Sequence, residues 1–375
     1  MPFSVTSSEI TLKGKNRKFF ESVLGRNIHA SLEGCGAVSV TKKGTSRFLV
    51  SAGQEGKAVL SLQKVFGVDT ISIVEEVPLD MEKIREKAVS HCPQLKGKKI
   101  RVQSKRSNKK FSFESQQINS LIGKDLVECG CTVDLRNPDE TVYIDILENS
   151  ALVSLVRIKG PGGLPVGTSG RVLSLISGGI DSPVASWLMM KRGCKMDFLH
   201  MHAFQKEPRD SKIIRLVEQL RDYYPGKIRV YMAPYSEFYK KSMSLPANTE
   251  LVLFRRFLYK VANMIAGKRR CKGIVTGDSL GQVASQTIQS ILLTHDASSL
   301  PVFRPLVAFN KDETVRLAEK IGTYQTSLEP YKDCCSLVTQ KSPATNLKPD
   351  QLKKLEEPLE GAVRNTVKST EIIEV

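Results

Sequence analysis

One short segment of the sequence has the residue types of a phosphate-binding loop. It reads Ser177-Gly-Gly-Ile-Asp-Ser182 and is followed by Pro183. Gly178 and Gly179 would let backbone N–H groups approach a ligand closely, and the two serines add hydroxyl donors. Since Pro183 suits the first turn of a helix, the loop would aim its amides and a helix N-terminus at an anion. The spacing is neither a Walker loop nor Gly-x-Gly-x-x-Gly, and a tight turn without a ligand is the structural alternative.

Asp181 is the one acidic residue inside this loop. Acidic groups beside phosphates usually act through a metal, so we expect Asp181 to help place Mg²⁺ or to orient the attacking nucleophile. The structural alternative is an acid that stabilises the dipole of a helix in its first turn. His200 and His202 stand two residues apart on one predicted strand, but no third ligand accompanies them, so we predict no metal site built from protein ligands alone.

A pair of neighbouring cysteines is the second place where chemistry is expected. Cys334 and Cys335 follow Lys332 and Asp333. A thiol with an ordinary pKa of about 8.5 needs a cationic neighbour or a helix dipole to be largely thiolate at neutral pH, and Lys332 is adjacent in sequence. Two small buried side chains are the structural alternative. The irregular spacing of the eight cysteines is unlike the disulfide framework of a small secreted protein.

The charge of the chain indicates a polyanionic partner. The formal net charge is +17, and residues 96–110 hold eight cations and no acid. Charges packed this closely repel one another unless phosphates neutralise them, and the release of counterions then drives binding. Nucleic acid is therefore the predicted partner class, with a solvated face as the alternative. The predicted RNA-binding cations are Lys96, Lys98, Lys99, Arg101, Lys105, Arg106, Lys109 and Lys110.

The second half of the chain has the alternating strands and helices that would position the loop. Short apolar runs alternate there with helical stretches, which predicts a doubly wound parallel sheet with the loop at the end of its first strand. The predicted strands are 171–176, 196–201, 228–232 and 273–275. The predicted helices are 183–192, 209–223, 249–267 and 311–321.

The first half of the chain has a different order of helices and strands and ends in a linker. Residues 1–77 alternate helices and strands as in a ferredoxin-like α+β domain. Residues 78–165 form a second α+β segment, closed by two facing strands at 141–147 and 151–159. Residues 160–170 are rich in glycine and proline, so we predict three domains, 1–77, 78–165 and 166–375.

Composition narrows the class of protein further. No stretch approaches the roughly 18 consecutive apolar residues of a membrane span. The first residues also lack the apolar core of a secretory signal. We therefore expect a cytoplasmic protein with no membrane partner.

Several segments, taken together, resemble a known family. The strand-Ser-Gly-Gly-Ile-Asp-Ser-helix pattern matches the loop of the ATP pyrophosphatase superfamily, whose members cleave ATP between the α and β phosphates. With four other segments it resembles the ThiI family of tRNA 4-thiouridine synthetases (tRNA sulfurtransferases), from residue 1 to about 350. The segments are Glu9–Arg17, Ser177–Pro183, Thr276–Thr287, Pro301–Pro305 and Asp333–Cys335.

The resemblance implies a fold, an activity and a nucleotide site. Residues 1–77 would be the ferredoxin-like domain, 78–165 a THUMP RNA-binding domain and 166–375 a PP-loop pyrophosphatase domain. The family uses ATP to adenylate the uridine at position 8 of tRNA and then replaces its C4 oxygen with sulfur. Without the family match, Leu175, Ile176 and Met201 would be read as ordinary core residues. The implied ATP-binding residues are Leu175, Ile176, Ser177, Gly178, Gly179, Asp181, Ser182, His200, Met201, Arg255, Gly277 and Gln286.

Expectations for four residues also come from the resemblance. Cys334 aligns with the family's catalytic cysteine, as persulfide carrier or resolving nucleophile, and Cys335 is the weaker candidate. Arg255 would neutralise phosphate charge, and Gln286 would lie on a helix after the Gly277 turn.

Partners are implied as well. Longer family members append a rhodanese domain that carries the persulfide. About 40 residues follow the cysteine pair, so we expect no such domain, and a cysteine desulfurase or another sulfur donor would load the system. The family's role in supplying sulfur to the thiazole of thiamine can depend on that domain. A homodimer would allow one subunit to hold the tRNA that the other modifies.

Two other functions compete with this one. A PP-loop ligase that uses an amine nucleophile, as lysidine synthetase does, would share the loop but would not need the cysteine pair. A non-catalytic or methylating THUMP protein would share the RNA-binding half. A methyltransferase would need a glycine-rich adenosylmethionine loop, and the sequence contains no such loop besides Ser177–Ser182.

Overall fold

The chain forms two compact units, Met1–Pro165 and Val166–Val375. The computed structural model describes residues 2–203, 210–283, 286–331, 334, 338, 347 and 349–375. The division between the units falls inside the glycine- and proline-rich segment 160–170.

The first unit is built on one eight-stranded sheet. Its order is β2-β3-β1-β4-β8-β7-β5-β6, antiparallel except that β5 runs parallel to β7 and β6. The strands are β1 (Phe3–Thr6), β2 (Val38–Lys42), β3 (Arg47–Ala52), β4 (Thr70–Pro78), β5 (Lys99–Arg106), β6 (Thr132–Val133), β7 (Glu140–Ile146) and β8 (Ser150–Lys159). The helices are α1 (Ser8–Thr11), α2 (Arg17–Ser31), α3 (Glu55–Leu62), α4 (Met81–Val89), α5 (Cys92–Leu95) and α6 (Ser115–Glu128).

Two apolar cores cover this sheet. Residues of α2 and α3 pack on β1, β3 and β4, while residues of α4 and α6 pack on β5, β7 and β8. Capping residues define where α4 and α6 begin. Asp80 caps α4 by accepting from the Lys83 N–H, and Glu114 and Gln117 form a capping box at α6. Strand β4 pairs with β1 on one side and β8 on the other, so a single sheet continues from the part before Pro78 into the part after it.

A buried polar network ties strands of the two parts together. The Arg47 guanidinium on β3 donates to Ser4 Oγ on β1 at 2.7 Å and to Asp145 Oδ2 on β7 at 2.9 Å. Arg157 on β8 donates to the same carboxylate oxygen at 3.0 Å. Asp145 is only 5% exposed, so it compensates two cations in a place that water barely reaches.

A disulfide joins Cys92 at the start of α5 to Cys129 at the end of α6, with their Cα atoms 6.0 Å apart. The irregular cysteine spacing did not predict it. The loop that it closes contains the whole cation run, residues 96–110.

The second unit contains a doubly wound parallel sheet, as the sequence predicts. Its order is β13-β12-β9-β10-β11-β14, and only β14, at one edge, is antiparallel to its neighbour. The strands are β9 (Arg171–Leu175), β10 (Lys195–His202), β11 (Arg229–Pro234), β12 (Ile274–Val275), β13 (Val302–Phe303) and β14 (Glu371–Glu374). The helices are α7 (Asp181–Lys191), α8 (Lys212–Arg221), α9 (Ser236–Ser242), α10 (Glu250–Arg269), α11 (Ile288–His295), α12 (Lys311–Ile321), α13 (Tyr324–Leu328), α14 (Pro349–Glu356) and α15 (Glu360–Ser369).

The strand order creates a switch point beside β9. From β9 the chain adds β10 and β11 on one side, then returns to place β12 and β13 on the other side. Ligands of open parallel sheets bind at the carboxyl ends of the strands at such a point. The long helix α10 packs on the sheet through buried side chains that include Phe254 and Phe257. Within the described part of the chain, no helix has both the length and the apolarity needed to cross a bilayer.

The buried network predicts a large stability effect at one carboxylate. Asp145→Ala should lower the free energy of unfolding by about 3 kcal/mol, because Arg47 and Arg157 would keep their charges without compensation. Urea unfolding of the full chain followed by far-UV circular dichroism measures this. Trp187, the single tryptophan, lies in the second unit, so its fluorescence transition should stay in place. Glu148→Ala removes an exposed acid as the control. A loss below about 1 kcal/mol would contradict the network's importance.

Candidate active site and RNA-binding surface

The phosphate loop closes on the start of its own helix. After β9 the Ser177 N–H donates to Ser182 Oγ at 2.8 Å, and the two serine hydroxyls are 3.1 Å apart. Ser182 is the second residue of α7, so its side chain ties the end of the strand to the first turn of the helix. The Gly179 N–H lies 3.4 Å from Ser177 Oγ. The loop therefore has the compact strand-to-helix form that presents backbone amides to an anion.

A second loop lies directly against the first at the switch point. Gly277 follows β12, the neighbour of β9, and a Cβ atom added there would come within 2.7 Å of the Ser182 nitrogen. It would also lie 2.9 Å from the Asp181 carbonyl carbon. Only a glycine allows the two backbones to approach this closely, which explains why position 277 in the Thr276–Thr287 segment is a glycine.

Asp181 has two polar neighbours that the sequence did not assign. Lys311 Nζ lies 3.4 Å from Asp181 Oδ1, and Gln282 Nε2 lies 3.3 Å from Oδ2. Lys311 is the first residue of α12, whose start is set by a capping box between Asn310 and Glu313. The cap thus places a lysine beside the phosphate loop, although no lysine occurs within the loop itself.

Arg255 lies against a buried carboxylate rather than open to a ligand. Its guanidinium donates to Asp278 Oδ1, while Arg304 Nε and Thr276 Oγ1 donate to Oδ2 at 3.2 and 2.8 Å. Burial opposes ionisation of Asp278, but the two arginines and the threonine outweigh it and hold its pKa below the ordinary value. Asp278 therefore stays ionised and fixes both guanidinium groups at the edge of the site. Asp278 and Arg304 lie inside two of the matching segments, which was the signal available for finding them.

The predicted residues of the second strand are buried next to the loop. Leu175 ends β9, the Ile176 N–H donates to the Leu199 carbonyl at 2.9 Å, and the Ile176 carbonyl lies 2.9 Å from His200 Nδ1. His200 Nε2 is 2.7 Å from the Tyr331 hydroxyl. Burial lowers the pKa of His200 to about 4, so the imidazole is neutral at physiological pH.

Cys334 lies at the carboxyl end of β10, beside the predicted nucleotide residues. Its thiol donates to the Met201 carbonyl at 3.2 Å, and the residue is only 2% exposed. The fold therefore brings the predicted sulfur carrier and the phosphate loop to the same edge of the sheet. Lys332, Asp333 and Cys335 lie outside the described residues.

Gln286 lies next to the start of α11. It lies in a short 3₁₀ turn, where its N–H donates to the Val283 carbonyl at 2.8 Å, directly before the N-cap Thr287. The Gly281 N–H donates to the Gln286 carbonyl at 2.9 Å, which folds this turn back towards Gly277. Thr287 then starts α11 by accepting a hydrogen bond from the Ser290 N–H.

The eight cations of residues 96–110 fall into two groups. Several already have protein partners. Lys98 Nζ is 3.0 Å from Glu140, Lys99 Nζ is 3.7 Å from Asp134, and Arg106 donates to the Phe113 carbonyl at 2.9 Å. Arg101 is half-buried, with Nη2 3.4 Å from Thr141 Oγ1. The exposed cations are Lys96, Lys99, Lys105, Lys109 and Lys110, so Lys99 is exposed although it is ion-paired.

These cations lie on β5 and the turns beside it. Strand β5 ends at Arg106, inside the cation run. The acidic partners of Lys98 and Lys99 are Glu140 and Asp134, which come from later in the sequence. The surface available to phosphates is therefore centred on Lys105, Lys109 and Lys110 rather than spread evenly over the run.

Fold and site together define the class of protein. The second unit is a parallel-sheet nucleotide-binding unit of the PP-loop type, and the first unit combines a ferredoxin-like part with a THUMP part. Sequence profiles agree with this division. The profile of the ThiI ferredoxin-like domain matches residues 3–72, that of the THUMP domain residues 79–156, and that of the family described as thiamine biosynthesis protein (ThiI) residues 167–360.

Individual relatives point to one family. A probable tRNA sulfurtransferase of Caldanaerobacter subterraneus subsp. tengcongensis is 38% identical over 360 residues, covering 94% of this chain and 93% of the relative. One of Moorella thermoacetica is 40% identical over 347 residues, covering 91% and 88%. The chain belongs to the ThiI family of tRNA sulfurtransferases.

Solved structures agree in fold. The crystal structure of a 4-thiouridine synthetase–RNA complex with bound ATP is 30% identical with a TM-score of 0.88, covering 100% of this chain and 99% of the other. PH1313 from Pyrococcus horikoshii Ot3, at 24% identity and a TM-score of 0.67, covers 86% and 99% and shares the fold.

The contact at Gly277 yields a test of the nucleotide site. Gly277→Ala should raise the dissociation constant for ATP at least tenfold, because the new methyl group would push the second loop away from Ser182. Isothermal titration with ATP measures this. Gly267→Ala is the matched control, since a Cβ there meets nothing within 4 Å. Equal ATP affinity in the two variants would show that the close approach does not shape the site.

The exposed cations yield a test of RNA binding. Lys105→Ala combined with Lys109→Ala should lower the slope of log affinity against log salt by roughly 1.5–2 units, since each lost phosphate contact releases fewer counterions. Filter binding of tRNA across a salt series measures the slope. The control is Lys98→Ala with Lys99→Ala, which removes the same charge from ion-paired positions and should change the slope less. An unchanged slope in the first pair would mean a solvated face.

Proposed function

We propose that this chain is an ATP-dependent tRNA sulfurtransferase that converts the uridine at position 8 of tRNA into 4-thiouridine. The observation that carries the proposal is the juxtaposition of Cys334 with the phosphate loop at one edge of the sheet. The 4-thiouridine synthetase solved with RNA and ATP, which matches the whole chain, supports the same activity. A lysidine-synthetase-like ligase and a non-catalytic THUMP protein are not favoured, since neither needs a cysteine there.

The first step activates the base. The uracil C4 oxygen attacks the α-phosphorus of ATP, pyrophosphate leaves, and AMP becomes attached to C4 through that oxygen. Activation is needed because the carbonyl oxygen of uracil is a very poor leaving group, whereas AMP is a good one. The amides of Ser177–Ser182 would hold the departing pyrophosphate, and Lys311, 3.4 Å from Asp181 Oδ1, would neutralise the developing charge. The carboxyl ends of β9 and β10, around Ile176 and Met201, would receive the adenine.

Mg²⁺ fits this site as a partner of the nucleotide. Mg²⁺ is typically held by one or two carboxylates together with substrate phosphates and water. Asp181 offers one carboxylate, 23% exposed, whereas Asp278 is occupied by Arg255, Arg304 and Thr276. Among the described residues no group of three or more acidic, histidine or cysteine side chains could hold a metal alone. Asp181 would therefore hold the ion, whose charge would offset that of the phosphates.

The second step delivers sulfur. A cysteine desulfurase or another donor would transfer a persulfide sulfur to Cys334. The terminal sulfur attacks C4 and AMP leaves with the former carbonyl oxygen. A second thiol then attacks Cys334 Sγ, which breaks the S–S bond, leaves 4-thiouridine on the tRNA and forms a disulfide. An external thiol reduces that disulfide. Because Cys334 is buried against Met201, its side chain has to leave this contact before it meets the donor.

One assay tests the proposed function as a whole. The purified chain is incubated with tRNA, MgATP and sodium sulfide, and the tRNA is digested and analysed for 4-thiouridine by absorbance and mass spectrometry. We expect one AMP and one pyrophosphate per 4-thiouridine. Thiolation without ATP consumption, or none with any tRNA, would contradict the proposal.

The role of Cys334 has its own test. Cys334→Ser should still release pyrophosphate in the first turnover, because adenylation precedes sulfur delivery, but lose at least 90% of thiolation when a cysteine desulfurase with L-cysteine is the donor. Sodium sulfide in excess should restore thiolation, because it bypasses the carrier. Cys271→Ser, a buried cysteine of the same unit, is the control. Normal desulfurase-dependent activity in Cys334→Ser, with loss in Cys335→Ser, would assign the carrier to the other sulfur.

A further inference from the structure

The segment that leads to Cys334 is attached to the nucleotide site at several described points. Lys212, the first residue of α8, is buried and donates from Nζ to the main-chain carbonyls of Ser327 at 2.8 Å and Glu329 at 2.6 Å. These two hydrogen bonds hold the segment firmly, because without the carbonyl acceptors the buried ammonium charge would be neither hydrated nor hydrogen-bonded. Thus the chain just before Tyr331 is held on α8.

Tyr331 itself bridges the segment and the phosphate loop. Its ring lies so close to Gly178 that a Cβ added there would be 2.8 Å from the ring carbon Cδ1. Its hydroxyl is 2.7 Å from His200 Nε2. Gly178 therefore leaves room for the phenol ring.

The direction of the Tyr331 hydrogen bond follows from the groups around His200. The Ile176 carbonyl can only accept, so His200 Nδ1 carries the proton and Nε2 presents a lone pair. The Tyr331 hydroxyl then donates to Nε2. Phenylalanine at position 331 would keep the ring against Gly178 and remove this one hydrogen bond.

We propose that Tyr331 is a positioning residue that seats the Cys334 segment on the phosphate loop, so that sulfur delivery through Cys334 depends on its hydroxyl while adenylation does not. The inference rests on the proposed function and deepens it. Tyr331 stands three residues before Cys334, whose thiol binds the Met201 carbonyl one residue beyond His200. The two anchors on β10 are thus adjacent, and loosening the first changes where the sulfur can reach. Free sulfide needs no such placement, because it diffuses to C4 by itself.

The test compares two sulfur sources in one variant. Tyr331→Phe should thiolate tRNA on the order of tenfold more slowly with a cysteine desulfurase and L-cysteine, the size expected for one lost buried hydrogen bond. With sodium sulfide the rate of thiolation by Tyr331→Phe should stay within twofold of that of the unmodified chain. The pyrophosphate released in the first turnover, which reports adenylation, should also stay within twofold with either sulfur source. A role limited to overall stability would slow both sulfur sources alike, so the ratio of the two rates separates the explanations.

A control and a second variant keep the test decisive. Tyr324→Phe removes a hydroxyl seven residues earlier, on α13, and should change neither rate. Lys212→Met releases the carbonyls of Ser327 and Glu329, and should lower the desulfurase-dependent rate selectively, as Tyr331→Phe does. Trp187 fluorescence and thermal unfolding confirm that each variant is folded.

The outcomes distinguish the inference from the function it rests on. Equal losses with both sulfur sources, or an unchanged desulfurase-dependent rate in Tyr331→Phe, would overturn the positioning role and leave the activity intact. If the unmodified chain forms no 4-thiouridine even with sodium sulfide, the proposed function itself fails.

Discussion

Two loops meet at the carboxyl edge of the second unit's sheet, and that contact is the constraint on which the site depends. Gly277 brings the loop after β12 against the backbone of Asp181 and Ser182, at distances that no side chain permits. The contact exists because β9 and β12 are neighbours at the switch point of the sheet. It sets the positions of the phosphate loop, of Asp278 with its two arginines, and of the turn that carries Gln286.

Electrostatics then gives this edge its chemical character. The Asp278 carboxylate accepts hydrogen bonds from Arg255, Arg304 and Thr276. Its negative charge is therefore balanced inside the protein and does not repel phosphates. Asp181 is the carboxylate that remains at the loop, and Lys311 faces it. The site can therefore receive a highly charged nucleotide with one acid available for a cation. In the first unit, likewise, some cations of residues 96–110 are already paired with acidic side chains, whereas Lys105, Lys109 and Lys110 face solvent.

The sequence predicted those features of the fold that are determined by residues close together in the chain. A glycine pair between an apolar run and a helix start determines its own turn, and alternating strands and helices determine a parallel sheet, so the loop and the fold were predicted correctly. Lys311, Tyr331 and Lys212 were missed because only the packing of distant elements brings them to Asp181, Gly178 and Ser327. The Cys92–Cys129 disulfide depends on α5 meeting the end of α6, which spacing alone does not reveal.

The central claim is that the uracil oxygen leaves as part of AMP, and isotope transfer tests it most directly. A tRNA carrying ¹⁸O at C4 of uridine 8 is incubated with the chain, MgATP and sodium sulfide, and the nucleotide products are analysed by mass spectrometry. Attack of that oxygen on the α-phosphorus predicts one ¹⁸O atom in the AMP formed with each 4-thiouridine and none in pyrophosphate. Unlabelled AMP, with the isotope released to water or found in pyrophosphate, would contradict adenylation of the base.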